Sequence, residues 1–516
     1  MITNKSLALL LLTALLLRLI WFLNTDNLGY GDAAARLNIT QLWLYSYWKI
    51  PSILYLKILN PSLDWLPFHF YILGLASYLT NDLVYTPRLL TLLISALSII
   101  PLYKIAFLKF NERTAIIAAV MLAFYGMHIF TSSLTLSEPF YCFALLWSYW
   151  FLEKHFTSSK PQASYLIGLS ICIAACSLLR YEGWILACLF LCSIPLLKKI
   201  SLKHYLLVTC LPVFAIIFIM FCEIAQGQHP LRGILYSDFE VGITKQLHGI
   251  DFSYLLPGLL PLYFIVLIHT VKKHAKKGDR QMSFLLLALY YLPALPFLIK
   301  LIDGSVTTQA RYLTLYMIPA IVFIASFIDA IFTRFQLKKI TQIFLLACYV
   351  FVANISLAQQ IYTSRLQVKY PMGFWQSADY FKDSIELSRA YVDYGLELSN
   401  CNWMVYANAF DAIHSAAEID TMAKHLKVDG KTFKDRALKG VRYRITGHEY
   451  EWNTWKSTDF DTMLISREIS HIVLFPKGLL ANHLNTNNKN TYTYLNKRLI
   501  KLFSKDGYCI YRIDSL

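Results

Sequence analysis

The sequence predicts a polytopic α-helical membrane protein with about eleven transmembrane helices and a small C-terminal extracytoplasmic α/β domain. Three observations predict it. The 516 residues are 56% hydrophobic and 16% charged, with a mean hydropathy of +0.46, whereas a soluble chain is nearer half apolar and about a quarter charged. The apolar residues fall in runs matched to a bilayer, with basic residues gathered between alternate runs. Past residue 361 the composition turns polar and the runs stop.

The net charge of +16 does not imply nucleic-acid binding, because the lysines and arginines sit in short clusters between apolar runs. That is where topology determinants belong. A hydrocarbon core needs about 20 apolar residues per helix. With that ruler, spans fall near 6–23, 87–108, 114–131, 138–153, 163–180, 183–197, 204–222, 254–271, 282–301, 310–331 and 341–361. The first follows Lys5 and has no small-residue cleavage site after it, so it reads as an uncleaved anchor.

The apolar stretch 66–80 is too short to cross, since 15 residues of helix cover about 22 Å at 1.5 Å each. Leaving it out places every basic cluster on one side: Lys104, Lys109 and Arg113; Lys154 and Lys160; Lys198, Lys199 and Lys203; Lys272, Lys273, Lys276, Lys277 and Arg280; Arg334, Lys338 and Lys339. Counting it as a span would invert all of them against the positive-inside rule. It therefore reads as a helix lying in or dipping into the outer interface. The expected division is a membrane domain over 1–361, with a first outer loop at 24–86, and a tail domain over 362–516. In the tail, 403–407, 472–475 and 508–513 read as strands and 375–388 as helix; Cys401 and Cys509 are candidates for a disulfide.

Ionised groups in a membrane cost at least a few kcal/mol, so each is a functional candidate. Four places stand out, all expected at the outer face. Asp32 follows the first span in Gly29-Tyr30-Gly31-Asp32; Glu138 opens the fourth in Ser137-Glu138-Pro139. Arg180 and Glu182 occupy the turn Arg180-Tyr181-Glu182-Gly183-Trp184, and Arg311 starts the tenth span. Singly, each has a plain structural reading: Asp32 and Glu138 as helix starts, Arg180 and Arg311 as snorkelling cations. Arg18 inside the first span reads as snorkelling or meeting an acid, and His69, His128, His229 and His248 as packed or interfacial. Gathered at one face, the carboxylates suit base or metal work and the arginines anion binding.

The ordered series Gly31-Asp32, Leu66-Pro67-Phe68-His69-Phe70-Tyr71, Pro87-Arg88-Leu89-Leu90, Ser137-Glu138-Pro139, Arg180-Tyr181-Glu182-Gly183 and Ala310-Arg311-Tyr312-Leu313 resembles the GT-C superfamily of glycosyltransferases. Within it the chain looks like family 39, the protein O-mannosyltransferases and lipid A aminoarabinose transferases, best over about 15–190. The resemblance implies an enzyme that moves a sugar, with inversion, from a polyprenyl-phosphate donor to an acceptor hydroxyl at the extracytoplasmic face of a bacterial inner membrane. It implies Asp32 as the catalytic acid, Glu138 as the second acid facing a metal or the acceptor, with Glu182 beside it, and Arg311, Arg180 or Arg88 at the lipid phosphate. A divalent cation, Mg or Mn, at Glu138 is part of that expectation. So are a glycan, lipid or protein acceptor and surrounding membrane lipids as partners, and no nucleic acid. The family's Asp-Glu pair is Asp32-Ala33 here, and Leu66 stands where aminoarabinose transferases carry a basic residue. A lipid or solute transporter is the alternative; it would place charges along a path across the midplane, with internal repeats.

Overall fold

The computed structural model describes residues 4–26, 33, 36–37, 40, 66–82, 84–158, 163–193, 201–225, 265–266, 268, 310–363, 369–385, 388–392, 403, 406–407, 443–445, 469–476, 478, 481 and 499–514. The chain divides into two compact units. One comprises 1–22, 62–69 and 88–362, and the other 23–61, 70–87 and 363–516.

The helices are α1 (Asn4–Leu23), α2 (Phe68–Thr80), α3 (Tyr85–Leu97), α4 (Ile99–Lys109), α5 (Glu112–Ala123), α6 (Gly126–Ser132), α7 (Glu138–Thr157), α8 (Ala163–Leu179), α9 (Glu182–Ser193), α10 (Leu202–Ala225), α11 (Ala310–Arg334) and α12 (Lys339–Thr363). Among the described residues, Lys5–Leu23, Tyr85–Lys109 and Leu202–Phe221 are each long and apolar enough to cross a membrane. The expected span 282–301 lies outside the described residues, and 254–271 does too but for the helical residues Ile265, Val266 and Ile268. Helix α2 covers the stretch read as interfacial. Its start is anchored where Leu66 packs with Trp184 and Ile219 and where the His69 ring meets Phe140 edge-on at 5.2 Å.

One expected span is sharply bent. The run 114–131 breaks into α5 and α6, bent by 56°, and the break exposes the last carbonyls of α5. Helix ends in hydrocarbon need partners, because no water is there to supply them. Arg18 meets that need. Its Nη1 donates to the Ala123 carbonyl at 3.3 Å and Nη2 to that of Leu122 at 3.4 Å, while Asn354 Nδ2 donates to Phe124 O at 2.9 Å. The same guanidinium donates through Nε to Ser95 Oγ at 2.9 Å and lies 2.8 Å from His128 Nδ1. Arg18 is fully buried, so it does not snorkel, and its partners among the described residues include no acid: a helix C-terminus, negative by its dipole, takes the cation.

The opposite ends of these helices are tied by ion pairs between elements. Lys109 meets Glu153 at 2.5 Å. Arg113 pairs with Asp329, which also accepts from Asn111 Nδ2 and Thr114 Oγ1 at 3.0 Å each. The Lys104 ammonium sits 5.1 Å from the Trp147 and Trp150 rings, an arrangement that favours a cation over an aromatic face. Three basic residues read from the sequence as topology signals thus also hold helices together.

Among the described residues the tail forms a five-stranded mixed sheet, β1 (Ser388–Val392), β2 (Tyr443–Ile445), β3 (Ile469–Leu474), β4 (Leu499–Lys505) and β5 (Tyr508–Ile513), in the order β2-β1-β3-β5-β4. The β1–β2 and β1–β3 pairs are parallel; β3–β5 and β4–β5 are antiparallel. Asp506 and Gly507, both at positive φ (50° and 82°), close the β4–β5 hairpin, as a two-residue turn of this hand requires. Helix α13 (Met372–Ser384) packs on the sheet through Phe374 and Phe381, both fully buried, with Trp403, Phe475 and Tyr508. Trp403 and Tyr406, read from sequence as strand, are helical. The run Trp403-Met404-Val405-Tyr406 is rich in strand-favouring residues, but its two aromatics stand three apart, a helical spacing that turns both rings toward one core. Cys401 lies outside the described residues, and Cys509 is on β5 with its Sγ 3.4 Å from Ser504 Oγ.

Candidate active site

The sharp reversal between α8 and α9 builds the charged cluster. Two residues, Arg180 and Tyr181, join the helices. The Arg180 N–H still bonds to Cys176 O at 3.1 Å, and Gly183 and Trp184 turn back through bonds to the Arg180 and Tyr181 carbonyls at 2.9 Å each. Across the turn, Trp184 Nε1 donates to Ser177 O at 2.9 Å and Ser177 Oγ to Gly183 O at 3.2 Å. A Cβ at Gly183 would lie 2.2 Å from Cys176 O, so the backbone contact itself demands glycine. Gly183→Ala is expected to shift the turn and destabilise the protein by about 1–3 kcal/mol, the usual range for overpacking. Thermal unfolding in detergent measures it.

The turn presents the Arg180 guanidinium to two carboxylates. Nε and Nη2 reach the Glu182 oxygens at 3.1 and 2.8 Å, a bidentate pair. Nη1 lies 3.3 Å from Glu138 Oε1 and 3.3 Å from Ser137 Oγ. The Arg180, Glu138 and Glu182 side chains are 12%, 2% and 26% exposed, so Glu138 is the deeply held member. Glu138 is the first residue of α7, followed by Pro139, which needs no N–H there. The open N–H groups of this first turn favour a carboxylate. Two carboxylates against one guanidinium leave the cluster with a formal charge of −1.

The turn leading into α7 is fixed at both ends. At its start, Arg88 Nε donates to Ser133 O at 2.9 Å, its guanidinium 4.6 Å from the Phe22 ring centre, and Trp21 Nε1 donates to Ser133 Oγ at 3.1 Å. At its end stand Ser137 and Glu138, held by Arg180. Arg88 is 1% exposed; it is built into the packing of this turn.

The sequence-predicted residues therefore divide. Glu138, Arg180 and Glu182 come together, 42–44 residues apart in the chain between α7 and the α8–α9 turn. Arg88 braces the same connecting turn. Asp32 and the Arg311 side chain lie outside the described residues, although Arg311 is the second residue of α11. The fork of Arg180 is filled by Glu182, so a phosphate there would have to displace a carboxylate and would face another. The carboxylates described do not fit a divalent cation, because Arg180 stands between them; among the described residues no three His, Cys, Asp or Glu side chains group at ligand distance. Sequence reasoning missed the role of Arg18 with Ser95 and His128. Its signal was present as an arginine deep in an apolar run, and the misreading lay in seeking an acidic partner.

Residues 61–221 match the family model of dolichyl-phosphate-mannose-protein mannosyltransferases. No curated protein is significantly similar in sequence. Among solved structures, the apo oligosaccharyltransferase of Archaeoglobus fulgidus aligns over 91% of this chain and 69% of its own, with a TM-score of 0.54 and 12% identity; the same protein has been crystallised with Zn and sulfate. ArnT from Cupriavidus metallidurans bound to undecaprenyl phosphate aligns over 99% of this chain and 98% of its own, with a TM-score of 0.54 and 13% identity. The mycobacterial arabinofuranosyltransferase AftD aligns over the whole chain but 42% of its own, with a TM-score of 0.50 and 12% identity. At such identities the likeness is one of fold: the chain shares the helical architecture of these glycosyltransferases, and its residues 61–221 carry the family-model match.

Proposed function

We propose that the protein is a glycosyltransferase that moves a sugar from a polyprenyl-phosphate donor to an acceptor hydroxyl at the extracytoplasmic face, with inversion. The observation that carries this reading is the Glu138–Arg180–Glu182 cluster, with Glu138 buried, in a chain whose residues 61–221 match a lipid-phosphate-sugar transferase family. The likeness over the full length of an enzyme solved with undecaprenyl phosphate supports the same donor class. The reading takes the N-terminus as cytoplasmic and the tail as extracytoplasmic, in a bacterial inner membrane, as the basic clusters ask.

Asp32 removes the acceptor hydroxyl's proton as its oxygen attacks the anomeric carbon. The bond to the phosphate oxygen breaks, and polyprenyl phosphate leaves. Arg311 faces the departing phosphate, where a planar fork matches its oxygens. Arg180 is assigned to orienting Glu138 toward the acceptor side, and Arg88 to bracing the turn that carries Glu138.

The test is incubation of the purified full-length protein with a panel of undecaprenyl-phosphate-linked hexoses and pentoses, reading release of undecaprenyl phosphate. The expected result is release from at least one donor, dependent on protein. Intact donor moved across a vesicle bilayer without release would favour the transporter.

A further inference from the structure

We propose that Arg18 is a positioning residue for Glu138, acting through the short helix α6. This inference rests on the glycosyltransferase reading, in which Glu138 faces the acceptor side. Every residue it uses belongs to the unit made of 1–22, 62–69 and 88–362.

Arg18 spans the break that precedes α6. Its Nη1 and Nη2 donate to the Ala123 and Leu122 carbonyls at the end of α5, and Nη2 lies 2.8 Å from His128 Nδ1 in the first turn of α6. One planar group therefore touches both arms of the 56° bend. Three residues on, the same face of α1 reaches the other end of α6. There Trp21 Nε1 donates to Ser133 Oγ at 3.1 Å, and the Trp21 ring meets Phe130 edge-on at 6.2 Å. Helix α3 repeats the arrangement over two turns. Ser95 accepts from Arg18 Nε at 2.9 Å and donates to His128 O at 3.5 Å, while Arg88 Nε donates to Ser133 O at 2.9 Å. Two helices thus hold both ends of α6, whose seven residues are all buried.

What α6 leads to is Glu138. Ser133 is followed by Leu134, Thr135, Leu136 and Ser137, none more than 1% exposed, and then by Glu138 itself. Packed interiors transmit strain rather than absorb it, so a shift of α6 passes along this buried link into the first turn of α7. There Arg180 holds Ser137 and Glu138 from the other side. The bend is also what calls for the arginine. A continuous helix over 112–132 would bond the Leu122 and Ala123 carbonyls within itself. It would need no cation in an apolar run, where one costs at least a few kcal/mol. Bend and arginine together carry the Ser133–Glu138 link to a place that a straight helix would miss. Misplacing a group at the reacting centre by about 1 Å can cost on the order of 10²-fold in rate, which is the scale of effect open to a residue that sets only position.

The experiment compares Arg18→Gln, Trp21→Phe, Glu138→Gln and the double variant Arg18→Gln/Glu138→Gln in the full-length protein. It reads release of undecaprenyl phosphate from the undecaprenyl-phosphate-linked sugar that the wild type turns over fastest. Expected is a fall in kcat of about 10- to 100-fold for Arg18→Gln with the donor KM unchanged, the pattern of a lost transition-state alignment. Trp21→Phe, which keeps a ring and loses only the bond to Ser133, falls by about 3- to 10-fold. The double variant stays within about twofold of Glu138→Gln alone, because a carboxylate already removed cannot be misplaced. An arginine that served stability alone would lower kcat by the same factor in both backgrounds. Equal factors, a loss carried by the donor KM alone, or wild-type kcat in both Arg18→Gln and Trp21→Phe overturns the proposal; if Arg18→Gln does not fold, Trp21→Phe in the same two backgrounds decides it. An impaired Glu138→Gln beside fully active Arg18→Gln and Trp21→Phe removes this inference alone. A fully active Glu138→Gln, or no release from any donor, removes the role of Glu138 and this inference together.

Discussion

Asp32→Asn is expected to lower sugar transfer by about 10²- to 10⁴-fold, the usual contribution of a general base, with folding and expression unchanged. Asn keeps the shape and an acceptor oxygen but cannot take a proton. The loss should therefore appear in kcat, while binding of undecaprenyl phosphate stays intact. Because the base works ionised, the wild-type rate should fall on the acid side as the carboxylate protonates, and the variant's residual rate should lack that limb. Rates of undecaprenyl phosphate release across pH, wild type against variant, measure both. Full transfer by a folded variant would take Asp32 out of the mechanism.

Arg180→Met is expected to be the most damaging change to the described cluster. Glu138, 2% exposed, would lose its cation while staying in place, and Glu182 would lose a bidentate partner. Removing one member of a buried ion pair costs about 3–5 kcal/mol, most of it the stranded charge rather than the lost attraction. A second change that removes the stranded charge should therefore restore much of the stability. The double variant Arg180→Met/Glu138→Gln is expected to unfold at a higher temperature than Arg180→Met alone, yet to remain poor in transfer. Additive losses in the two single variants would mean that the 3.3 Å contact is not an energetic pair.

Much of the helical frame was legible because the bilayer imposes a length on apolar runs, and described helices α1, α3–α4, α7, α8, α9, α10, α11 and α12 lie where such runs were read. The break at Ala123–Gly126 was not legible. The run stays apolar through it, and what stabilises the bend is Arg18, over a hundred residues away. In the tail, β3, β5 and α13 matched short local patterns, whereas β4 was overlooked although Asp506-Gly507 marked its hairpin. At the candidate site, residue types that are costly to bury pointed to Glu138, Arg180 and Glu182. Their pairing was another matter. A sequence states that an arginine is present but not whether a carboxylate or a phosphate fills its fork; the turn at Gly183 decides that for Arg180.

A structure of the protein with undecaprenyl phosphate bound tests the central claim most directly. The account predicts the phosphate at the guanidinium of Arg311, with the Asp32 carboxylate facing the site of the anomeric carbon and Glu138 lining the same cavity. A phosphate bound elsewhere, with Asp32 far from it and Glu138 walled off, would contradict it.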